Sequence, residues 1–187
     1  MSKFFSKIEN VFVLVCLFWG VLFLIINPPF QASDEPSHMY RMYGFTQGVL
    51  TLEKKNISGQ TQVGLTLPVN LLLTAMQNYA MINHPTVKTH PSLTQKLFKI
   101  PLEPQKTAFC AFSVPAYTPV SYFPVFIALW VMKLLNMSPI LIMYILRFCT
   151  LLTYLSLIYF AIKITPVKKW LFFSAAIVHR QYILHLP

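Results

Sequence analysis

Apolar residues in this chain are gathered into blocks long enough to cross a bilayer, and that feature restricts the fold more than any other. A hydrocarbon core of about 30 Å needs about 20 helical residues, each rising about 1.5 Å. Residues 11–27 come close to that length with almost no polar side chain, and the block stops at Asn27-Pro28-Pro29. Blocks at 119–135 and 139–162 predict two further spans, the first opened by Tyr122 and Phe123, which suit an interfacial aromatic belt. A fourth begins at Trp170 but reaches His179 and Arg180 too soon to cross. The expected fold is therefore all-α, a polytopic α-helical membrane protein that forms one membrane domain over residues 1–187. Its long outer loop, 28–118, is expected to contain short interfacial helices, one of them in the apolar patch Leu65 to Met81. The abrupt polar ending from His179, with an incomplete span from 170, also reads as a truncated chain. A cleaved signal peptide fits less well, because no small-residue cleavage pattern precedes Pro28.

Charge decides which partners to expect. Fifteen Lys and Arg against five acids give a net charge of +10, which in a soluble protein would suggest nucleic acid. Here the basic residues sit at span ends and along the loop, with no basic-aromatic reading module. The expected partners are membrane lipids, and nucleic acid is not expected. With three spans, Lys3, Lys7 and Lys133 lie on one side and Lys163, Lys168 and Lys169 on the other, a tie under the positive-inside rule. The usual dominance of the first helix then places the N-terminus in the cytoplasm and the long loop on the outer face. Cys16, Cys110 and Cys149 form no paired motif, so neither a disulfide framework nor a zinc site follows.

The residues that could carry chemistry follow the first span directly, in PPFQASDEPSHMYRMYGFTQG. Two prolines stop the first helix, Asp34 can cap a second, Pro36 is tolerated in its first turn, and Gly48 can end it. In a helix over about Glu35 to Gln47, Asp34, His38, Arg41 and Phe45 share one stripe, with Met39, Tyr40 and Tyr43 turned elsewhere, toward lipid. An acid, an imidazole and a guanidinium at a membrane surface suit transfer from a lipid-linked phosphate donor. The carboxylate would deprotonate an acceptor hydroxyl or hold a divalent metal such as Mg or Mn, and Arg41 would grip the phosphate as the substrate-binding residue. The competing reading makes Asp34 an N-cap, lets Glu35 complement the helix dipole, and turns His38 and Arg41 toward headgroups.

That segment, the later AFSVPAYTPVSYFPV and LIMYILRFCTLLTYLSLIYFAI, in this order and spacing, resemble the amino-terminal part of the domain of unknown function 2142 family of bacterial multispan membrane proteins. The family in turn resembles the C-type glycosyltransferase superfamily. The resemblance implies an integral membrane glycosyltransferase-like protein of the bacterial inner membrane, using a polyprenyl-phosphate-linked sugar donor in cell-envelope glycan synthesis. It also implies catalytic roles for Asp34, Glu35 and His38, with Asp34 the base or metal ligand. The alternatives are a non-catalytic transport or assembly component, or a nonfunctional truncated product. A transporter should place polar groups near the bilayer midplane, where only Arg147 is found. Counted from an outer end at Ile162, Arg147 lies about 22 Å deep, too far to pair with Asp34 or Glu35, and is expected to snorkel inward or bond a carbonyl. His84 and His90, flanking prolines, read as solvated loop residues rather than a metal pair.

Overall fold

The computed structural model describes residues 6–32, 34–79, 91–112 and 119–176. His84, His90, His179 and Arg180 lie outside them. Two compact units result, one from residues 27–147 and one from 1–26 with 148–187.

The all-α expectation is overturned, because residues 27–147 contain a three-stranded antiparallel sheet. Strand β1 (Glu53–Ile57) pairs with β2 (Gln60–Pro68), and β2 pairs with β3 (Thr107–Ala111). Ser58 and Gly59, at φ 52° and 80°, form the two-residue connection whose left-handed twist suits a tight hairpin. The pattern is hard to read because β1 is polar up to Ile57 and exposed beyond its first residue. Only the far half of β2 alternates, with Leu65 and Leu67 fully buried on either side of Thr66. The patch expected to be interfacial helix from Leu65 is thus strand up to Pro68 and helix α3 from Val69–Tyr79 onward. A short helix, α4 (Pro91–Leu97), lies between α3 and β3 in sequence.

Before the sheet comes α2 (Glu35–Thr46). Gly48 at φ 79° closes it: Val49 N–H donates to the Gly44 carbonyl and Gly48 N–H to the Phe45 carbonyl, the pairing of a Schellman motif. α2 packs on β2, where Gly44 lies against Leu65. Met39, Tyr40 and Tyr43, expected to face lipid, are instead buried in this unit, and the Tyr40 ring meets Phe112 edge-on at 5.4 Å. A sheet on this flank covers the apolar side of α2, so lipid is not needed to do so.

The expected span 119–135 does not form either. Residues Pro119–Tyr122 make a 3-10 turn and α5 covers only Phe123–Leu134. Twelve residues reach about 18 Å, well short of about 30 Å. Proline restricts the start, and Asn136 at φ 51° ends the helix in a second Schellman pairing, Met137 N–H to Met132 and Asn136 N–H to Lys133. Lys133 donates to the Thr46 hydroxyl at 3.1 Å and lies over the Tyr43 ring, tying α5 to the end of α2; burial pushes its pKa down. Ser138 then caps α6 (Pro139–Ile164).

Among the described residues, two helices are long and apolar enough to cross a membrane: α1 (Ile8–Ile26) and α6. The second unit is built on them. Phe12 and Cys16, one turn apart, form a core with Leu151, Leu155, Ile162 and Ala176, and Phe12 meets Phe173 edge-on at 5.8 Å. Residues 169–176 are helical, with Tyr154 donating to the Ala176 carbonyl. Phe18, Ile25, Ile26, Leu157, Phe160 and Ile164 are all more than half exposed. Only 22% of the apolar stretch of α1 and 33% of that of α6 is buried, whereas the core helix of a soluble protein would be mostly covered.

Candidate functional site

Glu35 opens α2 and is held by three hydrogen bonds from two groups. Arg147 grips it in a bidentate pair, Nε to Oε1 and Nη2 to Oε2 at 2.7 Å, and the Phe30 N–H donates to Oε2 at 2.6 Å. The same guanidinium donates to the carbonyls of Asn27 at 2.6 Å and Pro28 at 3.2 Å. Both side chains are largely buried, 17% exposed for Arg147 and 12% for Glu35. Phe30 sits at φ 67° with its ring fully buried, a left-handed conformation that costs about 1–2 kcal/mol and is offset by that burial and by the bond to Glu35. The expectation that Arg147 could not reach Glu35 fails with the span over 119–135 on which it rested. With α5 too short to cross, Arg147 is counted from the Pro139 end of α6, eight residues or about 12 Å along the helix.

Asp34 precedes Glu35 at the cap position, exposed, and makes no side-chain cap hydrogen bond. The capping role that would have explained this acid is therefore not taken up by its carboxylate. One turn into the helix, His38 Nδ1 is 2.7 Å from the Tyr122 hydroxyl. Arg41 is 6% exposed, donates through Nη2 to the Leu50 carbonyl, and lies 4.3 Å from the centroid of the Phe45 ring. Its Nη1 is buried without a hydrogen-bond partner. Phe45 and Tyr122 stand 5.7 Å apart. Of the expected stripe of Asp34, His38, Arg41 and Phe45, Arg41 meets Phe45, and Tyr122 meets both His38 and Phe45, with the guanidinium inside rather than on the surface.

Tyr122 and Arg147 are the members that spacing along α2 did not reveal, since each arrives from a distant segment. Arg147 did carry a signal, because a charge in an apolar helix is costly without a partner. As to metal, no group of three His, Cys, Asp or Glu side chains converges among the described residues, and Glu35 is committed to Arg147. Asp34 stands as a single exposed carboxylate.

Two apolar helices of membrane-crossing length, together with a separately packed, sheet-containing unit over residues 27–147, suit a membrane protein. The chain belongs to the family described as predicted membrane protein (DUF2142), which it matches over residues 17–178. Searches of curated proteins and of solved structures return no match.

Proposed function

We propose that this chain belongs to a glycosyltransferase-like protein of the bacterial inner membrane that moves a sugar from a polyprenyl-phosphate donor to an acceptor hydroxyl in cell-envelope glycan synthesis. The observation that carries the reading is the exposed Asp34 carboxylate, uncommitted to capping and set beside an anchored Glu35. In the reaction Asp34 takes the proton of the acceptor hydroxyl as its oxygen bonds to the anomeric carbon. The bond from that carbon to the phosphate oxygen breaks, and polyprenyl phosphate leaves with the electron pair. Glu35, through Arg147, fixes the start of α2 and so the direction of Asp34. His38 and Tyr122 hold the next turn, and Arg41 places a positive charge with an unspent donor beneath the stripe, favourable to a phosphate.

In a complementation assay Asp34→Asn should lower glycan modification by roughly 100-fold or more, the scale of a lost general base, with membrane abundance unchanged. Full activity in that variant would remove the catalytic assignment.

The same reading has α1 and α6 both crossing the membrane. Lys3, Lys7, Lys163, Lys168 and Lys169 then share the cytoplasmic side, which breaks the charge tie, and the sheet-bearing residues face outward. Cys110 on β3 is the reporter, since Cys16 and Cys149 lie within α1 and α6. A membrane-impermeant maleimide added to spheroplasts should label wild type and not Cys110→Ala. Because burial pushes the Cys110 thiol up, labelling should quicken into the alkaline range above that of an ordinary thiol. Labelling only after lysis would reverse the orientation.

A further inference from the structure

Helix α3 and the chain after α4 enclose a groove of about 500 Å³ that no step above uses. Leu73, Met76, Leu97 and Ile100 line it together with Asn70, Thr74 and Gln77. Of the polar members, Asn70 Nδ2 donates to the Pro101 carbonyl and the Thr74 hydroxyl to the Asn70 carbonyl at 2.7 Å, while Gln77 is exposed. The exposed lining is mostly apolar, with Leu73 61% and Met76 64% exposed. An apolar surface of this kind needs an occupant.

Two neighbours indicate which. Lys96 and Lys99 flank Leu97 and Ile100, are exposed, and form no ion pair among the described residues, whereas Lys106 is paired with Glu103. Phe98, between them, stacks on Tyr144 of α6 with ring centroids 5.7 Å apart and planes within 8°. Tyr144 lies four residues before Phe148, from which α6 carries exposed apolar side chains at Leu152, Leu157 and Phe160. The lysines and the groove are therefore fastened to the first turns of a helix of membrane-crossing length. Apolar side chains beside unpaired lysines match an acyl chain beneath an anionic headgroup.

We propose that the α3–α4 groove is a contact site for anionic phospholipid of the bilayer, with an acyl chain against Leu73, Met76 and Ile100 and the headgroup phosphate on Lys96 and Lys99. The site is independent of the glycan-transfer reading and requires only that α6 enter the membrane. Each lysine near an anionic surface contributes roughly a five-fold gain in occupancy.

The test places a spin label at Met76→Cys in the full chain, with Cys16, Cys110 and Cys149 replaced by Ala, reconstituted in vesicles of phosphatidylcholine with or without phosphatidylglycerol. Broadening by a water-soluble nickel chelate should fall about five-fold or more when phosphatidylglycerol is present, with a matching rise in broadening by oxygen. Lys96→Gln with Lys99→Gln should return the label to its phosphatidylcholine value. Equal protection in both vesicle types, or free access of nickel in both, overturns the proposal. Since the readout is accessibility rather than transfer, an inactive Asp34→Asn protein should give the same result as wild type.

Discussion

Replacing Arg147 by Met should lower the unfolding midpoint of the detergent-solubilised chain by roughly 6–20 °C, the shift that a loss of roughly 3–5 kcal/mol produces in a chain of this length. Met keeps most of the stem and removes the donors. Glu35, 12% exposed, would retain the Phe30 N–H but lose the charge that balances its own, and the Asn27 and Pro28 carbonyls would lose their donor. The cost arises mainly from the uncompensated carboxylate, not from the pair itself, because burying two charges roughly cancels the attraction between them. Adding Glu35→Gln should therefore recover a substantial part of the loss, a coupling readable in a double-mutant cycle by thermal melts. A shift of less than about 3 °C in the single variant, about 1 kcal/mol, would show that the pair does not anchor α2.

Gly64→Ala should be of similar severity for a steric reason. A Cβ at this position would lie 1.9 Å from the Cys110 carbonyl oxygen and 2.8 Å from its carbon, and backbone atoms cannot rotate away. β2 and β3 would have to separate where Gly64 pairs with Ala111, loosening the adjoining Leu65 and Cys110 pair and the fully buried Leu65 and Leu67 with it. The cost should be roughly 3 kcal/mol, the upper end for overpacking, visible as faster amide exchange in β3 by mass spectrometry. Gly44→Ala is the comparison. Its Cβ would meet only the Leu65 side chain, at 2.6 Å, and a rotamer change there should hold the cost to about 1 kcal/mol. The opposite order of severity would contradict the packing described.

The sheet itself could not be anticipated from its residues. EKKNI and the first half of QTQVGLTLP are polar enough for a solvated loop, and in an antiparallel hairpin they need only pair with each other through backbone, leaving no apolar signature. Leu65 and Leu67 do alternate, but over too short a run to be separated from the helix that follows. The error in span number has a similar origin: residues 119–135 are apolar enough, and only the 3-10 turn at the start and the left-handed Asn136 at the end cut the helix to twelve residues.

Sequence by itself determined the membrane class, the long apolar helices α1 and α6, and helix α2 with its Gly48 stop and the stripe of His38, Arg41 and Phe45. All of these are encoded within one stretch of chain, by the apolar length a bilayer demands and by the period of a helix. Tertiary structure alone decided that Glu35 is bound by Arg147, that Tyr122 closes over His38, that Met39, Tyr40 and Tyr43 are buried in protein, and that Lys96 and Lys99 flank an apolar groove. Glu35 and Arg147 stand 112 residues apart, and His38 and Tyr122 84. No local period records such pairings, because they exist only once distant segments of the chain have packed together.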